Sequence, residues 1–169
     1  IIRGGKIVAG TNGAAGEIGH MPMIDDESEC CGCGKKGCLE QYASANGLVN
    51  VAEKYIAAHR TMETELDLNA GFTAKDVCDA AKAGDKAGLA AVEESMRLLG
   101  KAMASVSCVI DPQVFVVGGG LSKAGNIIID TASKYYKEYA FHASRETEIK
   151  LATLGNAAGM YGGVKMVIG

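Results

Sequence analysis

Three thiols stand within eight residues at Cys31, Cys33 and Cys38. Gly32, Gly34 and Gly37 separate them, and their lack of a side chain lets the backbone fold until the sulfurs converge on one point. Thiolates so grouped hold a borderline-soft divalent ion, and a structural zinc takes four such ligands. His20 and Cys30 are the candidates for the fourth. Adjacent Cys30 and Cys31 would have to point the same way, which an extended backbone resists. The competing reading is a loose redox-sensitive loop, disfavoured because cytosolic thiols at this density oxidise readily. A closed four-ligand site has no open position, so the ion expected here fixes a long loop and does not act as a Lewis acid. The other two cysteines, Cys78 and Cys108, sit alone in helix-like segments and are expected to be buried, reduced thiols.

Acids flank this cluster. Glu17 and Glu40 stand on either side of it, and two acids with a histidine brought together by a rigid loop could accept from or donate to paired hydroxyls. Taken alone, Glu40 reads first as an acid favoured at a helix N-terminus by the dipole. His59 and His142 have no ligand partner at useful spacing and are expected at the surface or packed. Gly118-Gly119-Gly120, after one apolar run and before a helical one, would let a nucleotide approach the backbone. A plain tight turn explains it equally well. The Asn156 to Gly163 stretch, rich in Gly and Ala, reads as a helix packed closely on a sheet.

The elements that must position these groups are legible in the periodicity. Ile1 to Val8 predicts a hairpin turned at Gly4-Gly5, cut from a larger sheet. A helix is expected from Leu39 to Ala58, weakened at Gly47, and a second opens at Thr73 with Asp76 three residues on and stops near Gly84. Leu89, Val92, Met96, Leu99, Met103, Val106 and Ile110 alternate steps of three and four, the stripe of a long helix that Asp111-Pro112 ends. Gln113 to Val117 reads as a strand buried on both faces, Lys123 to Tyr139 as a helix, Ile149 to Leu154 as a strand and Ala157 to Val167 as a closing helix. This order is α/β with crossover helices in one domain, as 169 residues allow. A net charge of −3 with 22% charged residues gives no basic stripe for nucleic acid or anionic membrane, so small molecules are the expected partners. No apolar run approaches the roughly 20 residues that cross a bilayer, and the N-terminus lacks signal-peptide order, which predicts a cytosolic protein.

Gly16-Glu17-Ile18-Gly19-His20, followed by Cys31-x-Cys33-Gly34-x-x-Gly37-Cys38-Leu39-Glu40, resembles the paired signature of the ROK family. That family contains bacterial sugar kinases, many of them glucokinases, and sugar-responsive repressors. The resemblance extends over almost the whole chain, with Val114 to Ser122 similar to the family's strand and Gly-rich turn and Asn156 to Gly163 similar to its closing helix. It implies zinc on His20, Cys31, Cys33 and Cys38, leaving Cys30 over, and hydroxyl contacts from Glu17, His20 and Glu40. One ring nitrogen of His20 would serve the metal and the other the sugar. It also implies ATP near Gly118, Gly119 and Gly120, and a ribonuclease H-like, actin-like ATPase fold with a zinc-bound loop.

The family's acidic phosphate loop, catalytic Asp and Gly-Thr-Gly turn have no counterpart here, and Asp25, Asp26 and Asp111 do not match the catalytic position. Residues 1–169 are therefore expected to be the large C-terminal sugar-binding lobe, without the N-terminal lobe and inactive alone. The whole protein would phosphorylate the 6-hydroxyl of glucose with ATP and magnesium. Fructose, mannose, N-acetylglucosamine and N-acetylmannosamine are the alternative sugars. A repressor, with nucleic acid as its further partner, and a free sugar-binding module are the rival readings. Met160, Tyr161, Val164, Val167 and Ile168, with Ile1 and Ile2, are expected to lack cover, predicting a homo-oligomer.

Overall fold

A computed structural model describes residues 1–168. The chain opens on a small antiparallel hairpin, β1 (Ile2–Arg3) with β2 (Lys6–Ile7), paired Ile2 to Ile7 and Arg3 to Lys6. A 3-10 turn over Ile18–His20 and the cysteine loop lead into α1 (Glu40–Ala43) and α2 (Ala45–Ala58). The single helix expected over this stretch is thus two. The break falls at Ser44, which is extended (ψ 173°) and whose Oγ accepts from the Gly47 amide at 3.0 Å, a side-chain cap that starts α2 afresh. Gly47 is no weak point inside a helix. A Cβ there would sit 2.7 Å from the Glu40 carbonyl oxygen, so its bareness lets α2 fold back against α1.

The next helix, α3 (Ala74–Lys82), has the expected start: Thr73 and Asp76 exchange side-chain and backbone hydrogen bonds in a complete capping box. The long helix α4 (Lys86–Ile110) begins three residues before its apolar stripe because Asp85 caps it, accepting from the Gly88 amide at 2.9 Å. Val92, Met96 and Met103 of the stripe are buried, while its ends at Leu89 and Ile110 are exposed. Ala87, Ala91, Ser95, Ala102 and Ala104 of the same helix are buried too, so that α4 is the spindle of the molecule. The helices α1, α2, α3 and α5 all pack on it. Cys78 on α3 is buried as expected, but Cys108 is exposed. Its side of α4 passes the edge of the core, where Val109 is also bare.

A β-α-β unit closes the fold: β3 (Val114–Val117), α5 (Asn126–Tyr139) and β4 (Glu148–Leu151), with β3 and β4 parallel in the register Val114 to Glu148 through Val117 to Leu151. Phe115, Val117 and Ile149 pack against Met103, Ala104, Tyr136 and Ala140. The strand is not buried on both faces. Val116, on the opposite side, is 63% exposed, because among the described residues only α4 and α5 cover the pair and they do so from one side. The last helix, α6 (Ala158–Ile168), exposes Met160, Tyr161, Val164, Val167 and Ile168, and the hairpin exposes Ile1 and Ile2. Among the described residues no helix is long and apolar enough to cross a membrane.

Candidate functional site

The loop between the 3-10 turn and α1 is folded back on itself by its own backbone. The Leu39 amide donates to the Met21 carbonyl at 2.9 Å, and the Met23 amide to the Gly37 carbonyl at 2.7 Å. This brings the two ends of the loop side by side, His20 on one and Cys38 on the other. One potential ligand atom from each of His20, Cys31, Cys33 and Cys38 then lies within 4.8 Å of every other. Cys30 stays outside this group, exposed, with its strand position paired across to Lys36.

The donor set fits a tetrahedral ion. Bonds of about 2.3 Å to sulfur and about 2.0 Å to nitrogen require ligand atoms roughly 3.5–3.8 Å apart. Cys33 Sγ and Cys38 Sγ are 3.6 Å apart, and Cys31 Sγ lies 3.6 Å from His20 Nδ1. Nδ1 is therefore the ring nitrogen turned to the thiols, which leaves Nε2 available to a second partner. Without an ion the thiols differ. The Lys35 amide, chiefly, lowers the Cys33 thiol, and burial raises that of Cys38. At Cys31 the Cys33 amide acts downward, but the Glu40 carboxylate, burial and the neighbouring thiols outweigh it and push the thiol up to about 12. A metal entering this site must displace protons, so its affinity falls in acid.

Glu40 opens α1 and also reaches the cluster, accepting from Cys31 Sγ at 2.7 Å and standing 3.7 Å from His20 Nδ1. Helix-end acid and site residue are one and the same here. The side chains of His20 and Glu40 are 38% and 42% exposed, enough to meet a ligand from solvent. Glu17 precedes the 3-10 turn and is exposed, and among the described residues its carboxylate forms no hydrogen bond or ion pair. The structure brings His20, Glu40 and the three thiols together and leaves the Glu17 carboxylate loose beside them.

Gly118, Gly119 and Gly120 are exposed at the end of β3, as expected, but do not lead straight into α5. A 3-10 turn over Leu121–Ala124 intervenes, and Gly125 (φ 76°) precedes the helix. The glycines consequently do not form the mouth of that helix. Gly120 instead borders a cavity of about 190 Å3 between this turn and α3, lined by Ala74, Cys78, Leu121 and Ala124 together with Lys123 and with Lys75 and Lys82, which both pair with Asp79 in the same lining. His59 stacks on Tyr55 and His142 lies against Phe141, both exposed and away from the metal cluster.

One residue escaped sequence reasoning. Glu27, in the middle of the loop, has a side chain only 7% exposed. It accepts from the Glu29 amide at 3.0 Å, from the Tyr42 hydroxyl, and from Lys54 Nζ at 3.0 and 3.2 Å. The Glu29 amide first, then Tyr42 and Lys54, bring its pKa from the ordinary 4.5 down to about 2. A folded pKa below the unfolded one stabilises the fold fully above about pH 4.5, and the contribution fades as pH falls towards 2. The stability difference between the unmodified chain and Glu27→Gln should be flat above pH 5 and shrink below about 4.5. Chemical denaturation at a series of pH values measures it, and a difference independent of pH would refute the assignment.

The α/β arrangement matches that of solved ROK sugar kinases, which share the actin-like ATPase fold. The chain belongs to the ROK family, which matches residues 1–169. It is 39% identical over 166 residues to a glucokinase of Halalkalibacterium halodurans, covering 96% of this chain and 50% of that protein. In structure it is similar to a ROK family glucokinase from Streptomyces griseus in complex with glucose and AMPPNP, with a TM-score of 0.85 and 30% identity over 98% of this chain and 55% of the other. A ROK family transcriptional regulator, a homologue of the E. coli MLC protein, superposes with a TM-score of 0.72 and 26% identity over 87% of this chain and 37% of its own. The chain spans about half the length of the curated relatives it matches.

Proposed function

We propose that residues 1–169 are the large, sugar-binding lobe of an ATP-dependent ROK sugar kinase whose substrate is glucose. The observation that carries this reading is the convergence of His20, Cys31, Cys33 and Cys38 with Glu40 at 3.7 Å from the His20 ring, in a chain 39% identical to a glucokinase. Zinc held by these four residues fixes the Met21 to Lys36 loop. With Nδ1 committed to the metal, His20 meets the sugar through Nε2 in one fixed tautomer. Glu40 and Glu17 accept from paired hydroxyls and so fix the ring and the direction of its reactive hydroxyl. Orientation of this kind supplies much of phosphoryl transfer, where positioning and electrostatics dominate. ATP with magnesium supplies the phosphoryl group when bound, and the turn at Gly118, Gly119 and Gly120 is the nucleotide side of this lobe on this reading. On this reading none of Asp25, Asp26 and Asp111 is the proton acceptor for the sugar hydroxyl, the first two lying exposed in the loop and the last ending α4.

A repressor lobe is the second reading, favoured by the superposition on the transcriptional regulator. A coupled assay with glucose, ATP and magnesium separates them. Residues 1–169 alone should give no turnover above background, whereas the full-length parent should turn over. A parent that binds glucose and operator DNA without phosphorylating the sugar would establish the repressor. Activity from residues 1–169 alone would place the catalytic base among the acids set aside above.

A further inference from the structure

The helix that carries Glu40 cannot hold its own direction. At four residues α1 is one turn, too short to be stable without outside contacts. Two consecutive residues of it reach back to the same point of the loop. Gln41 Nε2 donates to the Glu29 carbonyl at 3.0 Å, while its Oε1 accepts from the Cys38 amide at 3.0 Å. Tyr42 buries its ring among Leu39, Leu98 and Ala102 and directs its hydroxyl to Glu27. The ring packs α1 on α4, and the hydroxyl, with the two Gln41 bonds, ties it to the loop. Glu27 is in turn held by Lys54 of α2, so its carboxylate bridges the loop and both helices.

We infer that Glu27 is a positioning residue for the sugar site: through Tyr42 it ties α1 to the loop and hence holds the Glu40 carboxylate beside His20. The inference rests on the reading of Glu40 and His20 as sugar-binding groups. Glu27 touches no ligand itself. Its depressed pKa agrees with a carboxylate that remains charged at neutral pH and is always engaged.

Two readouts on the zinc-loaded full-length parent test this together: glucose affinity by calorimetry, and backbone hydrogen exchange at residues 38–44. Glu27→Ala should weaken glucose binding about tenfold, the scale of one lost hydrogen bond to a charged group, and speed exchange at 38–44 while α4 stays protected. Tyr42→Phe keeps the packed ring and should act in the same direction, which guards against a Glu27→Ala chain that fails to fold. Glu27→Gln keeps an acceptor for Tyr42 and should restore most of the affinity. Faster exchange with unchanged affinity would reduce Glu27 to a structural tie and overturn the inference, as would unchanged exchange. Absence of glucose binding by the unmodified parent would sink the sugar-site reading itself, and the inference with it.

Discussion

Cys38→Ser is expected to release the metal and unfasten the loop from His20 to Glu40. Cys38 is 1% exposed, its Sγ lies 3.6 Å from that of Cys33, and its own amide is held by Gln41, so it joins the metal cluster to α1. Structural zinc contributes about 10–16 kcal/mol of apparent binding energy in small zinc domains at neutral pH, and a missing ligand forfeits a large part of it. Purified chain should hold about one zinc, and Cys38→Ser or Cys33→Ser close to none, with new protease cleavage between residues 21 and 40. Cys30→Ser, whose thiol lies outside the cluster, should keep its metal. Equal loss from Cys30→Ser would mean that the ligand set is wrong.

Gly37→Ala should damage the same loop by a different route. Gly37 has φ 70°, and a Cβ there would lie 1.7 Å from the Ile24 carbonyl oxygen. No rotamer change relieves a clash with backbone, so the strands joined by the Met23 and Gly37 hydrogen bond must separate. The expected cost exceeds about 4 kcal/mol at this point, in the range of severe single substitutions. It would appear as a zinc affinity lowered about a thousandfold, since loop closure and metal binding are one event. Met23 and Ile24 also pack against Leu98 and Ala102 of α4, so the melting temperature should fall as well. Gly32→Ala is the control: nothing lies within 4 Å of a Cβ at that position. Equal zinc affinity in Gly37→Ala and Gly32→Ala would contradict the loop geometry.

What the sequence disclosed and what it withheld divide along physical lines. The capping box at Thr73, the long amphipathic run of α4 and the strand before Gly118 are local patterns, and each forms where periodicity and capping place it. Three of the four donors were legible because thiols at such spacing have few other uses, whereas the choice of His20 over Cys30 leaned on the family signature. Features that depend on contacts across the fold were hidden. Cys108 has the same helical surroundings in sequence as Cys78, yet only the packing of α3 and α5 around α4 decides which is buried. The exposed face of β3 depends on which elements cover the sheet, and the break at Ser44 on the close approach of α2 to α1 at Gly47. Glu27 looked like one more acid in an acidic loop. Only the fold brings it to Tyr42 and Lys54, 15 and 27 residues away, and a serine or aspartate in its place would have read the same.

The most direct test of a metal-organised sugar site is a calorimetric titration of glucose into the zinc-loaded full-length parent and into the same protein stripped by a chelator. On the proposed reading zinc would orient His20 and hold the loop that fixes Glu40, so the loaded protein should bind glucose with one site and the stripped protein should lose at least about tenfold in affinity, recovered when zinc is returned. Equal affinity with and without the metal would contradict the account.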